Sequence, residues 1–171
     1  MHAAERRLPM NAHAELRQRY RSHLGALLDR VTRAITGLPA GRQRLLLSIE
    51  SYWEACLDHR AQRIGLYAAA ASDELMAVFD QQARIFERMI ASELTACGVR
   101  EPHALGRRLF EEVRSIARAE QLSGERAAAQ RQAFADFLDQ RLALALGGGN
   151  AAVTQADPPG RRSGSGRRHL G

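Results

Sequence analysis

Lysine is missing from this sequence: all 25 of its basic residues are arginine. Together with the abundance of alanine and leucine, this reads as the codon composition of a GC-rich genome rather than as arginine-specific recognition. Aromatic residues are scarce, at 5%, and β-branched residues are few, which argues against a sheet-rich fold. Only two cysteines occur, Cys56 and Cys97. Each falls on an apolar helical stripe, so two buried, reduced thiols are expected rather than a disulfide. No run approaches the ~20 apolar residues of a membrane-spanning helix, and the N-terminus carries charges but no apolar signal-peptide core. The chain reads as cytoplasmic, with no membrane partner.

Catalytic and metal-binding patterns are missing as well. There is no G-x-S-x-G, H-E-x-x-H, Walker A or G-x-G-x-x-G motif. No glutamate is followed three residues later by histidine, as a di-iron bundle would require. Cys56 and His59, with Asp58 beside them, form a single C-x-x-H pair, too few ligands for a metal site. The expectation is a protein that is not an enzyme and that has no catalytic residues, no metal and no cofactor.

What is present is helical periodicity. At 171 residues and 45% apolar content, the chain has room for one domain with a true core. The stretch Asp73–Gly98 places Leu75, Val78, Phe79, Ile85, Phe86, Met89, Ile90, Leu94 and Cys97 on one stripe, with a gap at Gln82. Ser72 is suited to cap its start and Gly98 to end it, and the rest of the chain reads as organised around it. Upstream, a helix is expected from Asn11 to Thr36, closed by Gly37-Leu38-Pro39-Ala40-Gly41. A central helix, Arg42 to His59, follows; its Leu45-Leu46-Leu47 run is apolar on more than one face. A short helix spans about Ala61–Ala71, with Ile64, Leu66 and Tyr67. Downstream, Pro102 starts a helix to about Leu122, and Ser123-Gly124 links it to a last helix, Glu125–Leu146. So short a link predicts an antiparallel hairpin. The fold expected is an all-α bundle of five to six helices: residues 1–12 an N-terminal segment, 13–146 the helical domain, 147–171 a disordered basic tail.

The net charge of +6 lies at the two ends. Residues 1–24 hold five arginines against two glutamates, and residues 147–171 four arginines against one aspartate. The body between them is neutral, so a pI near 10.5 says little about nucleic acid.

The order of elements, with Tyr52-Trp53 and Asp58-His59 on the central helix, resembles the C-terminal ligand-binding and dimerisation domain of TetR/AcrR-type transcriptional regulators. The closest local likeness is Glu93-Leu94-Thr95-Ala96-Cys97-Gly98-Val99 followed by Pro102, Leu105 and Leu109. The likeness covers about residues 13–146. Nothing in residues 1–24 matches the helix-turn-helix signature with which such regulators begin. The resemblance therefore implies a small-molecule-sensing and dimerisation core without its own DNA-reading domain in this chain. The alternative is a helical scaffold or interaction protein with no ligand.

The resemblance and the stripes together place a ligand pocket for a small hydrophobic effector at Ile49, Tyr52, Trp53, Phe79, Phe86 and Met89, between the central and the organising helix. They place a dimer interface on the C-terminal hairpin, at Leu105, Leu109, Val113, Ile116, Phe134, Phe137, Leu138 and Leu142. Pairing is expected as a homodimer, or as a heterodimer with a full-length relative. Specific DNA binding by this chain alone is not expected, because sequence readout needs an element seated in a groove.

Overall fold

The computed structural model describes residues 10–69 and 73–147. Six helices follow one another: α1 (Met10–Ile35), α2 (Arg42–Asp58), α3 (Arg60–Ala69), α4 (Asp73–Ala96), α5 (Pro102–Ser123) and α6 (Ala128–Gly147). No strand occurs among the described residues, so the chain is all-α, as its composition predicts. The expected Ser72 cap, the disordered tail, and the side chains of Tyr67, Leu75 and Val78 lie outside the described residues.

The breaks work as local chemistry dictates. Gly98 has φ +77°, and the Gly98 and Val99 N–H groups donate to the Thr95 and Leu94 carbonyls, closing α4 in a Schellman motif. Pro102 opens α5, where its missing N–H costs nothing. The start of α2 has no capping side chain of its own. Glu93 of α4 supplies one across the fold: its carboxylate accepts from the Gly41 N–H at 2.8 Å and from Arg44 Nε at 2.8 Å. α6 begins three residues later than its sequence suggests. The Ser123 hydroxyl accepts from the Glu125 N–H, and the Glu120 carboxylate accepts from the Ala127 N–H just ahead of the first turn.

α2 is the hub, in place of the Asp73–Gly98 helix. It packs on α1, α3, α4 and α5, and its Glu50 and Glu54 reach Arg131 of α6. The closest helix pairs are α1–α2 and α4–α5. Gly106 explains the second: a Cβ at that position would stand 3.2 Å from the Glu87 carbonyl oxygen and 3.3 Å from the Ala91 nitrogen. With no Cβ, Gly106 lets the two backbones approach closely, and any side chain there would have to push the α4 backbone back by a few tenths of an ångström. The predicted α5–α6 hairpin is correspondingly looser. The two helices follow a short link, but α6 stands off α5 and meets it through long side chains.

Candidate functional site

The six residues expected to form a pocket divide into three groups. Ile49, Tyr52, Phe86 and Met89 converge between α2, α4 and α5, where the rings interlock. Tyr52 meets Phe86 edge-on at 4.9 Å between centroids, and Phe86 stacks on Phe110 at 5.6 Å. The void left among them is about 10 Å³, enough for one water at most. The predicted pocket is therefore filled by its own walls. Trp53 turns the other way: its indole N–H donates to the Val113 carbonyl at 2.9 Å, and its ring meets Phe134 edge-on at 5.4 Å. Phe79 stands apart and contacts Tyr20 of α1, with centroids 4.3 Å apart.

The expected dimer residues need the same correction. Leu109 and Leu138 are fully buried within one chain, and Val113, Ile116, Phe134 and Leu142 nearly so. These stripes fill the protomer's own core, where α5 packs on α4 and α2 and Phe134 of α6 meets Trp53 of α2. Leu105 and Phe137 are half-buried against the rim of that core. The surface left for a partner lies along the outer seam between α5 and α6, which three of the expected residues, Ile116, Phe134 and Phe137, help to line. There a groove of about 430 Å³ runs between the two helices, floored by Ile116, Ala119, Ala133, Phe134 and Phe137 and bordered by Arg108, Glu112 and Ser115. Further along α6, in register with Ala133 and Phe137, Leu144 is 68% exposed.

α6 is held by charge as much as by apolar contact. Arg131, 5% exposed, makes a bidentate pair with Glu120, 1% exposed, at 2.6 and 2.7 Å. Its Nη1 also donates to Glu54 at 2.5 Å and Glu50 at 2.9 Å, and Arg126 joins the same two glutamates. The Arg131 guanidinium lies over the Trp53 ring at 5.1 Å. Burial opposes the Arg131 charge, but the hydrogen bonds and charges of Glu120, Glu54 and Glu50 outweigh it and hold its pKa above the ordinary arginine value. The sequence does carry a signal for this cluster, although the stripe reading passes over it. Glu120 falls four residues after Ile116 on the apolar stripe of α5, where an acid needs a cation brought from elsewhere.

A second concavity lies on the flank formed by α2, α3 and α5. α3 packs on α1 and α2, and its tie to α5 is Arg60, whose guanidinium donates to the Gln121 and Leu122 carbonyls at 2.5 and 3.1 Å. Between that tie and the body of α5 opens a cleft of about 560 Å³. Tyr52 of α2, Arg63 and Ile64 of α3, and Glu111, Arg114, Ser115, Arg118, Gln121 and Leu122 of α5 line it. None of the α5 residues in this lining was singled out by the sequence pattern, because surface arginines on a helix read as a solvated face. Deeper in, Arg63 Nη1 donates to His23 Nε2 at 3.4 Å, and the His23 and His59 rings meet edge-on at 5.6 Å. Burial, with the nearby charges of Arg63 and His59, pushes the His23 pKa down to about 4, so the ring is neutral at pH 7. Beside this group, burial raises the Cys56 thiol above its ordinary pKa and keeps it protonated. Asp58 pairs with Arg30 rather than turning toward Cys56 and His59.

No known protein family, curated protein or solved structure matches the chain. No described helix is long and apolar enough to cross a membrane.

Proposed function

We propose that this chain is a small-molecule-sensing and dimerisation core of a TetR-like transcriptional regulator, non-enzymatic and cytoplasmic. The observation that carries the pairing half is the outer face of α5 and α6. Ala133 and Leu144, with the half-buried Phe137 under the Arg141 guanidinium between them, form an apolar stripe on the outside of α6, beside the small Ser115 and Ala119 of α5. Small residues on one helix and a half-exposed ring on the next suit close approach by the same pair of helices from a second copy about a two-fold axis. The partner is then either a second copy of this chain or a longer relative presenting the same face.

Light scattering tests it. The unmodified protein is expected at twice its protomer mass at tens of micromolar. Phe137→Glu, which leaves the core residues Leu138 and Leu142 in place, is expected to run as a folded monomer. A monomeric unmodified protein overturns the pairing half.

The filled interior between α2, α4 and α5 favours a second reading, a helical interaction protein that pairs without an effector. Retention of a small molecule by the purified protein separates the two readings.

A further inference from the structure

We propose that the cleft between α2, α3 and α5 binds an amphipathic organic acid. Arg114, Arg118 and the Gln121 amide hold its carboxylate, and its hydrocarbon part lies on Tyr52, Ile64 and Leu122. The inference rests on the sensing half of the proposed function and not on dimerisation.

Three observations carry it. First, Arg114 and Arg118 stand one helical turn apart on the same side of α5, an arrangement in which like charges repel unless an anion sits between them. Arg114 has Glu111 as a partner only at 3.4 Å, with both side chains about half exposed, a weak pair in water. Arg118 has no ion pair among the described residues. Two guanidiniums in this position offer planar donor pairs to a carboxylate.

Second, Gln121 is 5% exposed and lines the same cleft, yet its side-chain amide makes no hydrogen bond among the described residues. The amide atoms reach solvent in the cleft rather than standing sealed among apolar groups, so a ligand oxygen can take the place of a water there. Gln121 follows Arg118 by three residues, so its amide and the two guanidiniums share one face of the helix.

Third, the mouth of the cleft is apolar. Ile64 and Leu122 are among the few large aliphatic side chains of the described residues that stand exposed, at 40% and 69%. Both belong to this lining. The ring of Tyr52 forms the inner wall, and the volume of about 560 Å³ falls in the ordinary range for small-molecule sites. Inorganic phosphate would meet the arginines but leave the apolar mouth in water, and it would bring a second negative charge toward Glu111. A neutral alcohol would cover the mouth and could bond Gln121, but it would leave the two arginine charges unmatched. A monoanionic head on a hydrocarbon body suits both halves.

Equilibrium dialysis of radiolabelled decanoate against the full chain tests the proposal, with decan-1-ol and inorganic phosphate as comparison probes. Decanoate is expected to be retained more tightly than either. The Arg114→Gln/Arg118→Gln double variant is expected to lose decanoate affinity by about tenfold or more. Leu122→Asp, at an exposed rim position that the fold does not need, is expected to lose it as well, because it sets a carboxylate against the ligand. Arg107→Gln, on α5 but outside the cleft, is expected to bind as the unmodified protein does. The proposal is overturned if decanoate shows no retention up to about 1 mM. It is equally overturned if both cleft variants bind as tightly as the unmodified protein, or if phosphate matches decanoate. Light scattering on the same samples separates the two readings: a monomer that retains decanoate overturns pairing alone, and a dimer that retains none overturns the cleft alone.

Discussion

His23 sits on α1 with 3% of its surface exposed, beside the Arg63 guanidinium and the His59 ring. Its pKa falls from the ordinary 6.5 to about 4 because burial, then two neighbouring cations or potential cations, disfavour the charged ring. The linkage has a definite sign. The unfolded chain takes up a proton below pH 6.5 and the folded chain does not until about pH 4, so stability contributed by neutral His23 is full above 6.5 and lost as pH falls toward 4. Urea midpoints are expected to drop across that window by roughly 1–3 kcal/mol of unfolding free energy, and His23→Gln should flatten the drop. Equal slopes for the two proteins between pH 6.5 and 4 would remove His23 as the cause. Trp53 gives a different lesson at this scale. It and Tyr52 are adjacent in the chain, yet one ring packs toward α6 and the other toward α4, because neighbouring residues on a helix point about 100° apart.

At the scale of the element, α6 is the helix whose attachment is least expected from its pattern. Its inner residues Leu138 and Leu142 are buried, but Arg131 anchors its first turn to Glu120 of α5 and to Glu50 and Glu54 of α2. Removing one partner of a buried pair leaves the other charge without compensation. Arg131→Leu is therefore expected to cost about 3–5 kcal/mol of unfolding free energy, since Glu120 at 1% exposure keeps no other cation at hand. The double variant Arg131→Leu/Glu120→Leu should recover much of that loss, because two apolar side chains of suitable size leave no orphaned charge. Chemical denaturation of the two single variants and the double variant gives the coupling. Additive losses would mean that the pair does not act as a unit. Glu93 shows the same principle at the opposite end of the fold: an acid on α4 completes the first turn of α2, a role invisible within either helix alone.

For the molecule as a whole, charge distribution decides the behaviour toward nucleic acid. The excess arginines lie in residues 1–24 and 147–171, and the helical body between them carries equal numbers of arginines and acids. Several arginines of that body are held in pairs: Arg42 with Asp139, Arg44 with Glu93, Arg126 and Arg131 with Glu50 and Glu54. The Arg42 partner holds the Asp139 carboxyl below its ordinary pKa through hydrogen bonding, so that pair stays charged through neutral pH. A gel-shift titration at physiological salt is expected to show no preference for the chain's own upstream DNA over random DNA. Any retention is expected to fall steeply with added salt, as phosphate contacts from Arg161, Arg162, Arg167 and Arg168 would dictate. Selective retention of one sequence would instead assign a reading element to this chain.

The helical class is legible in the residues alone, because aromatic scarcity, apolar spacing and the Gly and Pro breaks are local signals that act within a few residues. The sequence located the breaks at Gly37–Gly41, Gly98–Pro102 and Ser123-Gly124 to within a few residues, and it identified α2 as central from the Leu45-Leu46-Leu47 run. It marked Leu109, Val113, Phe134 and Leu138 as an apolar stripe but assigned them to a dimer contact, whereas all four are buried within one protomer. What it could not divide was that apolar inventory between the inside of one chain and the contact between two, because a buried stripe has the same period in either place. Packing between distant helices buries most of these residues within one protomer, leaves Phe137 half-buried and leaves Ala133 and Leu144 exposed. It alone closed the ring cluster of Tyr52, Phe86 and Phe110 to a void of about 10 Å³ and opened the α2–α3–α5 cleft instead. Cavities depend on how far helices stand apart, and that distance is set by contacts such as Gly106 against Ala91 and Arg60 against the end of α5, between residues far apart in the chain.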